Sequence, residues 1–281
     1  MPEQFEVQRM AQYLKDHDLE SQHLKRVLFK NNGKRILKNY DPSDLNNELK
    51  HKKLYSISTK AKYTFLHFES GTLVWHYRFT GIPHLKGKPY KENLYTLFSL
   101  PIHQKASRYC RMIMTFDNDE LHYIDTRCLS AIYFFKGLNP ESCPIYLTLA
   151  PDLNYDLNPS FHTFKRTFGH RKISVKQWLL QQNTAPSGIG NYLACEILAH
   201  AKLYPFIPLQ KINQKAYKAL CQAIQTVREF CMKSPKYNWF LVFNKEQCER
   251  CGNKVHKERC PKNSQMSHFC SHCQTLKLMI N

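Results

Sequence analysis

The chain has 281 residues, 42% hydrophobic and 13% aromatic, which is enough for one large core or two and excludes a disordered polypeptide. Its 41 Lys and Arg against 22 Asp and Glu leave a net charge of +19, so the partner it implies is a polyanion, either nucleic acid or an anionic membrane surface. The longest apolar runs, at 131–135 and 239–243, fall far below the roughly 18 residues of a membrane span, and eleven cysteines, an odd number with six from Cys231 onward, argue against a disulfide framework and for a reducing compartment with a metal site.

The opening Met-Pro-Glu-Gln-Phe-Glu is acidic where a secretory leader is basic. A helical pattern follows through Phe5, Val7, Met10 and Leu14. If Met1 is removed, Pro2 becomes a terminal secondary amine with Glu3 beside it. An α-amine titrates at about 7.7–8.0 where a lysine sits near 10.4, so about a tenth of it is neutral at pH 7. Such an amine can attack a carbonyl-like carbon without being buried; equally, many chains simply begin Met-Pro.

From Leu24 to about Pro144 short apolar or alternating runs predict strands at 26–29, 54–58, 63–68, 73–79, 111–116, 121–124 and 131–135. Turn signals separate them, among them Asn32-Gly33, Glu69-Ser70-Gly71 and Asp117-Asn118-Asp119. This spacing predicts a two-layer β-sandwich. Lys60 and Lys62 stand just before a strand, where the plain expectation is a solvated edge.

The polar, proline-bearing stretch 149–159 marks a change from strand to helix periodicity and a domain boundary. In Ile173–Pro205 the period runs through Val175, Leu179 and Leu180, breaks at Pro186, Gly188 and Gly190, and resumes from Tyr192 to Leu203. The Ser187–Asn191 turn is expected to leave several N–H groups unpaired at the start of the second helix, with its dipole behind them and the Asn191 amide alongside, which makes a seat for phosphate. An ordinary packed helical hairpin is the competing reading. A further amphipathic helix over 212–233 carries Leu220, Ile224, Val227 and Phe230.

Cys248-x-x-Cys251 and Cys270-x-x-Cys273, separated by 18 residues, have the spacing of one four-thiolate structural zinc site on a β-hairpin. His256, Cys260, His268 and His272 remain open as substitutes for the fourth ligand.

Met-Pro-Glu at the start, the Gly188-Ile-Gly-Asn-Tyr-Leu193 turn between helices, and the C-terminal cysteine hairpin together resemble the Fpg/Nei family of DNA glycosylases over nearly the whole chain. The run Gly190-Asn-Tyr-Leu-Ala-Cys-Glu-Ile-Leu198 is similar to the Nei, or endonuclease VIII-like, branch. The resemblance implies an α+β chain: a catalytic β-sandwich domain with a flanking N-terminal helix (1–148), a linker (149–159), a helical domain with a helix-two-turn-helix motif (160–245) and a β-hairpin zinc finger (246–276), with DNA between the two main domains. It also implies a bifunctional glycosylase and AP lyase of base excision repair, acting on oxidised bases, pyrimidines ahead of purines. Pro2 would attack C1′ of the damaged nucleotide and form an imine, with Glu3 as general acid and base, Lys62 near the nucleotide and Glu6 holding the site. β,δ-elimination would then cut the strand.

An everted base leaves a hole in the duplex, which the family fills with residues matching Phe79, Arg127 and Leu129; a core strand position is the competing place for Phe79. Gly188, Gly190 and Asn191 would hold phosphate. Departures stand at Gln4, Phe5, Thr126, Ser130 and Ala150, and at Gln265, where the family's hairpin has an Arg against phosphate. The implied partner is damaged DNA, double- or single-stranded, met inside the cell by a monomer without membrane attachment. A non-catalytic zinc-dependent DNA-binding protein of the same fold, and a zinc-ribbon protein of transcription sharing only the last segment, are the alternatives.

Overall fold

The computed structural model describes residues 2–89, 108–154, 160–234, 236–259 and 265–275. Cys260 and residues 155–159 of the expected linker lie outside the described residues. The chain divides into two compact units, Met1–Thr148 and Leu149–Asn281.

Unit 1 opens with helix α1 (Gln4–Lys15), nucleated by a reciprocal capping box between Glu3 and Glu6 and burying Val7, Met10, Ala11 and Leu14 along one face. Strand β1 (Leu24–Phe29) precedes helix α2 (Pro42–Leu49). The strand-rich reading of this stretch passes over α2, yet its start signal is present: Asp41 accepts the Ser43 N–H at 3.0 Å and Pro42 occupies the first turn.

Then come β2 (Leu54–Lys60), β3 (Tyr63–Phe68), β4 (Gly71–His76), β5 (Gly81–Leu85), β6 (Cys110–Phe116), β7 (Glu120–Asp125) and β8 (Ala131–Lys136), followed by a short helix α3 (Pro144–Thr148). Two four-stranded antiparallel sheets result, in the orders β1-β6-β7-β5 and β2-β3-β4-β8. They share one core with the buried face of α1, including Leu66, Phe68, Trp75, Met112, Phe116, Tyr123 and Phe134. The second sheet also buries Phe65 and Val74 on its other face, against Cys143, Ile145 and Tyr146. Burial on both faces explains why its strands read as nearly continuous apolar runs.

The predicted strand 73–79 is corrected: β4 stops at His76, residues 78–80 turn with Arg78 at φ 52°, and a separate strand begins at Gly81. The physical reason lies in the loop after β7, which takes hold of Thr80 as described below.

Unit 2 contains α4 (Phe161–Phe168), α5 (Val175–Leu179), α6 (Asn191–His200), α7 (Gln214–Lys233) and the hairpin β9 (His256–Arg259) with β10 (Met266–Phe269). Helix α6 is buried from Tyr192 to Ala199 without a polar face, and α5, α7 and β10 pack around it, while α4 packs on α7. Helix α7 is amphipathic, with Ala216, Leu220, Ala223, Val227 and Cys231 inward; Ile224 and Phe230 lie half-buried at the margins of that stripe. Among the described residues no helix is long and apolar enough to cross a membrane.

Candidate active site and metal centre

The start of α1 gathers the first group of candidate residues. Pro2 is buried immediately before Glu3, which is 1% exposed, as is Glu6. The Glu3 backbone N–H donates to Glu6 Oε2 at 2.7 Å, so the Glu6 carboxylate fixes the chain next to Pro2. Lys62 lies in the two-residue connection between β2 and β3, whose ladder closes at Lys60 and Tyr63. It is 7% exposed and not a solvated edge residue. Burial lowers the pKa of its ammonium and the nearby Glu3 carboxylate partly restores it, which places the amine and the acid in one electrostatic neighbourhood.

Lys60 turns away to Tyr146, donating to its carbonyl at 2.9 Å with Nζ 3.9 Å from the ring centroid. The connection passes through Ala61 at φ 54°. Glycine is the residue that adopts a left-handed conformation at no steric cost, so alanine here is under mild strain.

His76, at the end of β4, stacks on Tyr63 with centroids 4.5 Å apart. Burial drives its pKa down to about 3, and Arg78 and Lys62 push the same way. The imidazole is therefore neutral at physiological pH, and the two cations acting on it link Lys62 to the 78–80 turn.

That turn presents Phe79, 43% exposed. The Arg127 guanidinium lies over the Phe79 ring, 4.9 Å from its centroid. Leu129, also 43% exposed, projects from the same loop as Arg127. The organiser is Asp125, fully buried at the end of β7, whose carboxylate accepts the N–H groups of Arg127 (3.1 Å), Leu129 (2.9 Å) and Ser130 (2.8 Å). Asp125 also accepts the Thr80 hydroxyl, tying the loop to the turn that bears Phe79. Ser130, standing where the family has glycine, uses its hydroxyl on the Tyr77 carbonyl at 3.2 Å.

Sequence reasoning placed Phe79, Arg127 and Leu129 together but left out Asp125. The available signal was an Asp at a strand end followed by a short polar loop, the pattern of side-chain to backbone turns.

In unit 2 the turn before α6 differs from expectation. The Ser187 N–H donates to the Pro151 carbonyl at 3.0 Å and the Gly188 N–H to Gln182 Oε1 at 2.9 Å, so both are satisfied within the unit. Gly188 and Gly190 are buried. The Asn191 amide donates to the Met266 carbonyl on β10 at 2.9 Å, and the buried Lys176 ammonium reaches the same carbonyl at 3.1 Å and Ser267 Oγ at 2.8 Å. These contacts fasten the hairpin to the helices, and Gln265 sits half-buried just before β10.

The sulfurs of Cys248, Cys251, Cys270 and Cys273 lie within 4.8 Å of one another, with Cys251 and Cys270 3.6 Å apart. A tetrahedral thiolate shell with metal–sulfur bonds of about 2.3 Å requires sulfurs about 3.8 Å apart, so these four fit one ion. The described alternatives are otherwise placed: His268 Nδ1 accepts the Asn244 N–H at 3.2 Å, His256 Nε2 lies 3.1 Å from Ser271 Oγ, and His272 is exposed.

Behind the cluster, Glu196 is fully buried in α6 and accepts the N–H groups of Leu241 (2.7 Å), Val242 (3.0 Å) and Phe243 (2.7 Å). Burial raises its pKa despite these donors. Its one sequence signal was an acid in an otherwise apolar helix.

A family model described as the formamidopyrimidine-DNA glycosylase N-terminal domain matches residues 1–132. The formamidopyrimidine-DNA glycosylase of Psychromonas ingrahamii is 28% identical over 83% of this chain and 86% of its own length. That of Ureaplasma parvum is 27% identical over 98% of this chain and 100% of its own. Among solved structures, the Lactococcus lactis Fpg in complex with DNA containing an oxidised pyrimidine superposes with a TM-score of 0.80 at 21% identity, covering 97% of this chain and 99% of that one, a likeness of fold.

Proposed function

Because the chain belongs to the Fpg/Nei family of DNA glycosylases, we propose that it is a bifunctional DNA glycosylase and AP lyase of base excision repair, taking oxidised pyrimidines ahead of oxidised purines. The observation that carries this reading is the meeting of Pro2, Glu3, Glu6 and Lys62 around the start of α1.

Pro2, freed of Met1, is the nucleophile: its nitrogen lone pair forms a bond to C1′ as the base departs with the electrons of the glycosidic bond. Glu3 delivers a proton to the opening sugar and later moves protons during elimination. Glu6 holds the backbone of Glu3, and with it the direction of the Pro2 nitrogen. Lys62, buried beside Glu3 with its pKa lowered by that burial, orients the acid and faces the nucleotide. The imine withdraws electrons from C2′, so β- and then δ-elimination expel the two flanking phosphates.

Phe79, Arg127 and Leu129 fill the space the everted base leaves, held in readiness by Asp125. Damaged DNA is the partner that the charge of +19 serves. One structural zinc ion, bound by Cys248, Cys251, Cys270 and Cys273, closes its shell and fixes the hairpin without entering the chemistry. Gly188, Gly190, Asn191 and Gln265 lie on the DNA-facing part of unit 2 in this reading. The preference for pyrimidines rests on the Nei-like run from Gly190 to Leu198.

Borohydride reduction during turnover on a panel of lesion and abasic duplexes is expected to trap a covalent adduct whose peptide map ends at Pro2, with the greatest yield on oxidised pyrimidines. A mature protein that retains Met1, or no adduct on any substrate, overturns the enzymatic reading and leaves a DNA-binding protein.

A further inference from the structure

The loop that carries Arg127 and Leu129, from Asp125 to Ser130, contains neither proline nor glycine, and Cys128 sits in it at φ 52°. Little in its own sequence therefore stiffens the shape it takes. Three of its N–H groups are gathered by the Asp125 carboxylate. Its first two carbonyls are gathered by a residue outside the loop, Arg111. The Arg111 Nε donates to the Asp125 carbonyl at 2.7 Å, which also accepts the Cys128 N–H at 3.4 Å, and Nη2 donates to the Thr126 carbonyl at 3.3 Å. Nη1 of the same guanidinium donates to the Asn31 carbonyl.

Arg111 reaches the loop through an irregularity in the sheet. Between β6 and β7, Cys110 faces Ile124 and Met112 faces Tyr123, so Arg111 is an extra residue without a partner on β7. Such a bulge bends its strand and re-aims the side chain of the extra residue. The bulge is itself held in place. The Lys30 N–H donates to the Arg111 carbonyl at 2.9 Å, and the Asn31 side-chain amide donates to the Cys110 carbonyl at 3.0 Å. Gly33 completes the seat, because a Cβ there would lie 1.7 Å from the Arg111 carbonyl oxygen. The 30–33 turn thus fixes the bulge, the bulge aims the guanidinium, and the guanidinium fixes the first two residues of the loop.

Resting on the glycosylase reading, we propose that Arg111 is a positioning residue for base eversion, acting through this loop and not on the damaged nucleotide itself. A guanidinium presents five N–H donors in a rigid planar fork, which suits three carbonyls at once, whereas an ammonium of equal charge is a point on a flexible stem. With Arg111 in place the loop meets DNA already ordered, and Arg127 and Leu129 enter the gap in one geometry. Without it, the loop must be ordered during eversion itself, which slows that step.

The test compares the full-length, zinc-loaded parent with Arg111→Lys, which keeps the charge, and Arg111→Met, which keeps the length. The substrate is a duplex bearing an oxidised pyrimidine next to 2-aminopurine, whose fluorescence rises when the stack is opened and the wedge enters. Both variants are expected to insert and to excise about tenfold more slowly, with KM for the duplex within about twofold of the parent's. Both should form the borohydride adduct with a preformed abasic site at nearly the parental rate, which also shows that they are folded. A raised KM with Lys nearly as good as Arg would make Arg111 a simple phosphate contact and overturn the proposal. Insertion at the parental rate in both variants, equal losses on the abasic duplex, or no insertion by the parent would overturn it too. The fluorescence rise requires no bond to break, so a parent that inserts but forms no Pro2 adduct sinks the glycosylase reading and leaves the insertion rates to decide on Arg111.

Discussion

Two buried carboxylates in this protein do the same work in opposite ways. Asp125 and Glu196 each have no exposed surface, and each accepts three backbone N–H groups. Asp125 collects donors two, four and five residues ahead of it, so it curls its own loop outward and leaves Phe79 and Leu129 43% exposed. Glu196 collects donors 45 to 47 residues away and draws Val242 into an apolar cluster with Cys195, Ala199, Cys248, Val255 and Cys270. A short reach makes a presenting loop; a long reach joins a helix to the foot of a metal centre.

The comparison predicts opposite phenotypes. Glu196→Ala removes the acceptor for three N–H groups in a closed interior, each worth about 1–3 kcal/mol when left unmade, so unit 2 should lose about 4 kcal/mol. Urea unfolding of the zinc-loaded protein, read alongside release of zinc to a chelator, checks this: the variant should lose zinc faster and unfold at lower urea. A variant as stable as the parent would show that the long-range carboxylate is dispensable and the comparison empty.

Asp125→Ala should cost less stability, about 1–2 kcal/mol, because the loop it organises is partly solvated and its N–H groups can turn to water. Its larger effect should fall on function. Base excision should drop by about tenfold or more while the adduct with a preformed abasic site forms at nearly the parental rate, because only excision requires an ordered wedge. Equal losses on both substrates would place Asp125 in general folding, and the distinction between the two carboxylates would collapse.

The same contrast explains what could be read in the chain beforehand. The Pro2-Glu3 start, the Lys62 connection, the Phe79, Arg127 and Leu129 trio and the C-x-x-C pairs are local patterns, each visible within a few residues. Helix α2 and Asp125 were also local, and their Asp-based signals went unused among strand-like neighbours. Glu196 was a different matter. Nothing near it in sequence says that its partners are Leu241 to Phe243, and only the packed tertiary structure chooses them. The Ser187–Gly188 turn is a related case: these two N–H groups look unpaired in isolation, and the Pro151 carbonyl and the Gln182 side chain that satisfy them come from outside the motif.

Acid should expose a difference of degree between the units. His76 in unit 1 and His200 in unit 2 are held neutral by burial, with pKa values lowered to about 3 and about 4 from an ordinary 6.5. Lowered folded values mean that the unfolded chain takes up protons first. Their contribution is fully present above pH 6.5 and is lost as pH falls from there towards 4 for His200 and 3 for His76. His200, less completely buried and packed against the stacked rings of Phe230 and Trp239, is the better place to test this. His200→Phe should flatten the fall in stability between pH 6.5 and 4, measured by urea unfolding at several pH values. An unchanged slope would assign acid sensitivity elsewhere.

The smallest expected effect belongs to Ala61, which carries the Lys62 connection in a left-handed conformation at φ 54° with its methyl group fully buried. A left-handed alanine costs about 1–2 kcal/mol, so glycine would remove that strain. Glycine also gives up the buried methyl, about 0.8 kcal/mol, and gains freedom in the unfolded chain worth about 0.4–1 kcal/mol. These terms nearly cancel, so Ala61→Gly should shift the midpoint of thermal unfolding by no more than about 3 °C in either direction. The rate of adduct formation separates the two roles of the turn. If the turn's geometry is set by the ladder that closes at Lys60 and Tyr63, Lys62 stays where it is and the rate is unchanged. If the rate falls while stability holds, the alanine was stiffening the connection, and the position of the Lys62 ammonium depends on its neighbour in sequence as well as on the sheet.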